Sequence, residues 1–313
     1  MKNKILAILE ERKGESVSGE SLALSLMVSR TAVWKAIKKL KSEGHKISSA
    51  TRGGYKLENS SDVLHVIGIE RFYDAPHKTI VFDETDSTNK QAKIMALDGA
   101  EHGTVVVADF QTAGKGRRDR SFFSPKGSGV YFSIILKPKA DYVTCQKIVP
   151  LAAVAVTRAI KSVANIDTEI KWVNDVYYLG KKIVGISTES IGDVSGNFPD
   201  SIILGIGINV STDSFPEELI GKAGSLGVCV DRCKLVAVVV NEIMKLLPDL
   251  SRGGFIREYR KKCFVLGKNV TVFYGDRQYE AKAVDINESG ALIVEKHGER
   301  ITLVAEEVSV RPQ

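Results

Sequence analysis

Ile5, Leu6, Ile8 and Leu9 recur at the spacing of one helical face, and Leu22 and Leu26 repeat it after an interruption at Val17, Ser18 and Gly19. Ser18 is placed to cap that second helix. After a short turn through Met27 and Val28, Ser29 opens a third, SRTAVWKAIKKLKSEG, with Val33, Ala36, Ile37 and Leu40 on its apolar face and Gly44 as its stop. Arg30, Thr31, Lys35 and Lys38 fall on the other side. The next stretch, HKISSATRGGYKL, alternates, turns at Gly53-Gly54 and returns through Tyr55 and Leu57, as a two-stranded wing does, with Arg52 at its tip. This order predicts a winged helix-turn-helix over residues 1–60, which lays its second motif helix in a DNA major groove. Ser29, Arg30, Thr31, Lys35, Lys38 and Arg52 are the candidate DNA contacts. A small protein-contact module whose lysines only solvate a surface is the plainer alternative.

NSSDVLHVIG reads as a junction to the next domain. From residue 80 onward short β-branched runs (IVFDET, TVVVADF, VYFSIIL, EIKWVNDVYYL, KIVGISTES, SIILGIGINV) alternate with helical patterns near 88–97 and across 147–164. They lack the regular unit of a doubly wound sheet, so residues 61–265 are expected to form a mixed α/β domain. Residues 230–265 read as helical, with a break at Gly253-Gly254. From Gly267 short alternating strands with hairpin turns predict a small β-barrel over residues 266–313. The fold class expected for the whole chain is α+β, multidomain.

Charge sharpens this division. Residues 1–57 carry 12 lysines and arginines against 5 acidic residues, while the remainder carries 32 against 33. All the excess of the +6 chain therefore lies in the winged helix, as suits a polyanionic partner. Cys145, Cys229, Cys233 and Cys263 form no CxxC pair and have no histidines at zinc spacing, so no metal site is expected and a reducing cytoplasm suits them. MKNKILAILEERKG returns to charge too early for a signal peptide, and no stretch reaches the ~18 consecutive apolar residues of a membrane span. A cytoplasmic chain without a membrane partner is expected.

Candidate chemistry concentrates in the middle. TAGKGRRDRSFFSPKG, residues 112–127, sets Gly114, Gly116 and Gly127 among Lys115, Arg117, Arg118, Arg120 and Lys126, the composition of a pliable loop that meets phosphate. GKGRRD lacks the third glycine of a dinucleotide fingerprint, having Asp119 there; GIGINV fails likewise at Val210, and neither is a P-loop.

Five ordered motifs, DSTN (86–89), GKGRR with FFSP downstream, KWVND (171–175), GKKIVGI (180–186) and GIGIN (205–209), resemble those of the biotin protein ligases. With a winged helix in front, the chain is similar to the bifunctional subset that also acts as biotin operon repressor. The resemblance covers essentially the whole chain and implies an SH3-like C-terminal barrel. It implies that biotin and ATP, with Mg²⁺, give biotinyl-5′-AMP and pyrophosphate, and that an acceptor lysine then takes the biotinyl group. By matching position, Ser87, Thr88, Asn89, Gln111, Lys115, Gly116, Arg117 and Lys182 are implied for biotin, and Gly114, Arg118, Arg120, Phe122, Asn174 and Asn209 for the nucleotide. Arg117, Lys182 and Asp175 are the implied catalytic groups. Lys182 would meet the biotin carboxylate and α-phosphate together, although in a GKK turn it otherwise reads as an exposed hairpin charge. Asp175 would deprotonate or orient the acceptor amine, whose usual pKa is ~10.4, or hold Mg²⁺. For DSTN, hydroxyls that serve only as a helix cap are the plainer alternative.

Three departures stand out: Val173 for the family's proline, Asp119 for a glycine of some relatives, and Phe122 for a tryptophan that lids adenine in some. The implied partners are a biotin carboxyl carrier domain, operator DNA and, on biotinyl-5′-AMP binding, a second copy of the chain that competes with the acceptor for one face. Two other readings are a ligand-sensing transcription factor without catalysis, which would not need Asp175, and a lipoate-type ligase, which DSTN and GKGRR argue against.

Overall fold

The computed structural model describes residues 1–50, 53–117, 120–192, 197–274, 277–304 and 308–312. Helices α1 (Lys2–Glu11), α2 (Gly19–Ser25) and α3 (Arg30–Ser42) bury Ile5, Leu9, Leu22, Val33, Ile37 and Leu40 against one another. Strands β1 (Ser16–Val17), β2 (Ile47–Ala50) and β3 (Gly54–Leu57) pair in the order β1-β3-β2 to make the wing. Both expected caps form: Ser18 Oγ accepts from Ser21 N at 2.9 Å and Ser29 Oγ from Ala32 N at 3.1 Å. Gly44 stops α3 at φ 94°, a backbone angle that favours glycine. Arg52, expected at the wing tip, lies outside the described residues, as does Arg118 of the glycine-rich loop.

The junction folds into a short helix, α4 (Val66–Glu70), which packs on α1 and on α8 (Arg232–Leu246). Seven strands follow in one sheet. In spatial order they are β4 (Thr79–Phe82), β5 (Thr104–Ala108), β6 (Gly129–Leu136), β10 (Ser201–Asn209), β9 (Lys181–Ile191), β8 (Asp175–Tyr178) and β7 (Glu169–Lys171). Only β4 and β5 run parallel; every other neighbouring pair is antiparallel. EIKWVNDVYYL, which reads as one run, is a hairpin of β7 and β8 with Trp172–Asn174 at its turn and a cis Trp172–Val173 peptide.

Alternation within the strands sorts residues between two unlike faces. Phe132, Ile134, Leu204, Ile206 and Ile208 belong to the main core, with α7 (Ile148–Ala164) and α8. Tyr142–Ala164, the one described stretch apolar and long enough to cross a membrane, runs through α6 (Tyr142–Cys145) into α7 and is mostly buried in this core. The opposite face packs Val106, Ile135 and Ile203 against Ala92 and Met95 of α5 (Thr88–Leu97). That helix covers part of the face only. Beyond its N-terminus the same face presents Ser133, Gly185, Ser187, Gly205 and Gly207, small groups that leave room for something else.

After α9 (Ile256–Lys262), five antiparallel strands close the chain: β11 (Asn269–Tyr274), β12 (Arg277–Ile286), β13 (Leu292–Lys296), β14 (Glu299–Leu303) and β15 (Val308–Pro312), in the order β14-β13-β12-β11-β15. Val270, Val272, Leu292 and Val294 join the main core, and Trp172 Nε1 donates to the Gly290 carbonyl at 3.0 Å. The small sheet is thereby fixed beside the β7–β8 turn.

Candidate functional site

A cavity of about 1240 Å³ opens on the uncovered face. Its floor includes Gly185, Gly205 and Gly207, and one wall is the first turn of α5. A Cβ on Gly205 would collide with Asn89 Oδ1, so the Asn89 side chain can lie flat on β10 only because that position has no side chain.

The α5 wall is a closed set of hydrogen bonds. Asn89 Nδ2 donates to Glu189 Oε1 at 2.8 Å and Ser187 Oγ at 3.3 Å, and its Oδ1 accepts from Ser133 Oγ at 2.6 Å. Gln111 Oε1 accepts from Thr88 N at 2.8 Å and Thr88 Oγ1 at 3.1 Å, while its Nε2 donates to Ser124 Oγ at 2.9 Å. Asp86 organises the entry: its Oδ1 accepts from Ser87 N at 2.7 Å and its Oδ2 from Lys90 Nζ at 2.6 Å. The Lys90 and Gln91 bonds, with that backbone N–H, hold its carboxyl well below the usual carboxylate range. Ser87 sits at the N-cap position without a side-chain bond to the helix, so the plain capping role does not account for its hydroxyl.

The opposite rim is made of ions that pair across segments. Lys182 Nζ lies 2.6 Å from Asp175 Oδ1, the two side chains being 34% and 19% exposed. Arg117 Nη1 donates to Asn174 Oδ1 at 3.3 Å, and Asn174 Nδ2 donates to the Ile186 carbonyl at 2.7 Å, which ties the β7–β8 turn to β9. Lys115, Gly116 and Arg120 also line the cavity, with Gly116 N donating to Arg120 O at 2.7 Å. Tyr177 stands nearby, its phenol pushed up to about 12 by burial and by the charge of Asp175.

The cavity thus gathers Ser87, Thr88, Asn89, Gln111, Lys115, Gly116, Arg117, Arg120, Phe122, Asn174, Asp175 and Lys182 from four separated motifs. Three placements differ from the simplest expectation. Phe122, expected above a base, rests its ring on the floor, where a Cβ on Gly185 would come within 3.0 Å of it. Gly114 is buried at the base of its loop, with Phe122 O and Ser124 Oγ 2.7 and 2.8 Å from where a Cβ would stand. Asn209 lies behind the cavity, donating to the Gly224 carbonyl at 3.0 Å. Gly224 in turn donates to Lys182 O at 2.9 Å, and Lys182 N to Lys222 O at 3.0 Å, so Asn209 braces the strand that carries Lys182. Ser133, Ser187 and Glu189 complete the polar wall without having been marked by any motif, together with Ser124 of FFSP, to which no role was given.

On the winged helix, Ser29, Arg30, Thr31, Lys35 and Lys38 are all exposed on α3. Trp34, left unassigned by the pattern, is 52% exposed between Arg30 and Lys38, with Lys38 Nζ 5.4 Å from its ring centroid.

Comparison with known proteins bears on both ends of the chain. Residues 81–209 match the Biotin/lipoate A/B protein ligase family, residues 2–56 an HTH domain, and residues 265–311 the Biotin protein ligase C terminal domain. The Bifunctional ligase/repressor BirA of Bacillus spizizenii is 34% identical over 308 residues, which cover 94% of each chain. This chain belongs to the bifunctional ligase/repressor BirA family. It is a biotin protein ligase and a DNA-binding repressor. The Escherichia coli member is 26% identical, over 98% of this chain and 96% of its own. Among solved structures, the Aquifex aeolicus biotin protein ligase in complex with biotin and ATP superposes with a TM-score of 0.66 at 29% identity, covering 75% of this chain and 99% of that one.

Proposed function

We propose that the cavity converts biotin and ATP to biotinyl-5′-AMP and passes the biotinyl group to a lysine of a biotin carboxyl carrier domain. The observation that carries this is the Lys182–Asp175 pair, 2.6 Å apart on the rim opposite the hydrogen-bonded α5 wall. In the first step a biotin carboxylate oxygen attacks the α-phosphorus and the P–O bond to pyrophosphate breaks. Two anions must meet, and the Lys182 ammonium with the Arg117 guanidinium stabilises the charge that spreads over the phosphoryl oxygens. Ser87, Thr88 and Gln111 bind the ureido group, and Asn89, its amide fully engaged, holds that wall in shape. Lys115 and Gly116 close over the biotin. Arg118, Arg120, Asn174 and Phe122 serve the nucleotide, and Gly114 and Asn209 support the segments that reach it.

In the second step the acceptor amine attacks the acyl carbon and AMP leaves. Asp175, once Lys182 has turned to the phosphate, accepts the proton of the incoming ammonium. Among the described residues no three His, Cys, Asp or Glu side chains form a metal-holding group. Mg²⁺ needs no such cage, because it is held mostly by phosphates and water with one or two carboxylates. Asp175 and Asn174 would hold the ion that ATP brings, and it would neutralise phosphate charge there.

The division at residues 60 and 265, a cytoplasmic location without a membrane partner, and a dimer formed on the adenylate complete the reading. Arg30, Thr31, Lys35 and Lys38, with Ser29 and Arg52, contact operator DNA. The test is biotin-dependent exchange of pyrophosphate into ATP, with a gel shift of candidate promoter DNA in the presence and absence of both small molecules. Exchange that needs biotin, and a shift strengthened by the pair of ligands, is expected. No exchange would remove the assignment of the cavity.

A further inference from the structure

Helix α3 completes its core without its one aromatic residue. Val33, Ala36, Ile37 and Leu40 are buried with residues of α1, α2 and the wing, whereas Trp34 is 52% exposed and belongs to no cluster of the core. A tryptophan left half in water forgoes the burial of the largest apolar side chain, so its place on this helix calls for a reason other than folding.

The ring stands in a stripe of cations. Arg30, Trp34 and Lys38 recur four residues apart along one line of the helix, with Thr31 and Lys35 beside them, and all five are exposed. Arg30, Lys35, Lys38, Lys39 and Lys41 are the charges of α3, with no carboxylate among them. Lys39 leans toward Glu43 at 3.7 Å and Lys41 donates to Ser49 Oγ at 3.4 Å. Lys38 instead sets its Nζ 5.4 Å from the Trp34 ring centroid, a cation–π contact that keeps the ammonium beside the indole.

Phosphates answer the cations of this face but not the ring. An indole has one N–H and no acceptor, so it cannot form the bidentate pairs by which Arg, Asn and Gln name a purine. What it offers is apolar area. Of the groups that base pairs show in the major groove, the thymine C5-methyl is the apolar one. Trp34 also sits in the N-terminal half of α3, the part that a recognition helix points at base edges.

We propose that Trp34 is a specificity-determining residue of the winged helix, packing against thymine C5-methyl groups while the cations around it hold phosphate. This rests on the reading of α3 as the DNA-facing helix and is independent of the cavity. The test uses the full chain with biotin and ATP present, a DNA duplex selected in vitro for binding to it, and the same duplex with deoxyuridine for thymidine, which removes only the methyl groups. The unsubstituted protein is expected to bind the uracil duplex at least about fourfold more weakly, the equivalent of one buried methyl group. Trp34→Ala is expected to bind both duplexes equally, at the weaker level, with biotin-dependent pyrophosphate exchange unchanged. Trp34→Phe, apolar but without the N–H, is expected to keep the thymine preference. Lys35→Ala is expected to weaken binding of both duplexes alike and leave their ratio as it was. A thymine preference that persists in Trp34→Ala overturns the proposal, as does its absence from the unsubstituted protein or its loss in Trp34→Phe, which would assign the effect to the N–H. If Lys35→Ala weakens binding and Trp34→Ala does not, the DNA-facing reading of α3 survives and the methyl contact does not. If neither weakens it, both go.

Discussion

The two sides of the cavity are built on opposite principles. On the α5 wall, Thr88, Asn89, Gln111, Ser124, Ser133, Ser187 and Glu189 bond to one another, so their positions are set before any ligand arrives. On the rim, Lys182 pairs with Asp175, and Arg117 with Asn174, through bonds that a phosphate can replace. A finished, internally hydrogen-bonded wall suits recognition of a rigid heterocycle, whereas exchangeable ion pairs suit a reaction in which charge appears and leaves. Substitutions on the two sides should therefore fail in different ways.

The largest effect is expected at the rim. Lys182→Ala should lower biotin-dependent pyrophosphate exchange by about 10³-fold, the scale for removing a group aimed at developing charge. Biotin binding, read by calorimetry, should weaken by only about tenfold, because one charge-assisted bond is lost while the wall stays whole. Normal pyrophosphate release in this variant would show that Lys182 is not the activating lysine.

Gly205→Ala makes the converse test. The new methyl would press on Asn89 Oδ1 and stand 2.8 Å from Ser187 Oγ, and Asn89 cannot retreat because its amide is held at both ends. Overpacking of this kind costs about 2 to 3 kcal/mol, so biotin should bind about 100-fold more weakly. Exchange at saturating biotin should recover toward the normal rate. Unaltered biotin affinity would mean that the wall is not the biotin seat.

This contrast also explains what could be read in the sequence. The winged helix was legible because its caps, periodicity and stop are local: Ser18, Ser29 and Gly44 act within a turn of themselves. Helix α5 and the terminal strands followed from period alone. Motif residues of the rim were legible because glycine and charge cluster in the chain. The wall was only half legible, since Ser133, Ser187 and Glu189 join it through strand pairing of β6, β10 and β9, which no local pattern encodes. A faint signal existed in VYFSIIL, where Ser133 is the one small polar side chain in a strand buried along its whole length. Asn209 was legible as a motif member but its bracing of Lys182 was not, because Gly224 reaches it from a separate loop.

Arg117→Gly ranks third. It removes a guanidinium from the rim and leaves the wall untouched, so biotin should bind normally while the adenylate escapes roughly tenfold faster, the loss of one charge-assisted bond. Rapid filtration of protein preloaded with radiolabelled adenylate reads the rate directly. Faster escape together with poor biotin binding would show that the two sides are not separable.

The smallest effect, and the one with the sharpest sign, belongs to Phe122. Its ring rests on Gly185 and Gly207 and meets Tyr131 edge-on at 6.3 Å between centroids, so a ligand that lies on the glycine floor must first lift it. Phe122→Ala removes that competition, and biotin alone should bind about threefold more tightly, as when a closed state is no longer populated. The adenylate, which gains a stacking partner when the ring closes over its base, should be lost about threefold faster, within the range of one aromatic contact. Opposite shifts for the two ligands place the ring among the exchangeable parts of the rim. If both ligands bind more weakly, Phe122 is a fixed part of the cavity wall, and the boundary between the finished and the exchangeable sides must be drawn on the far side of it.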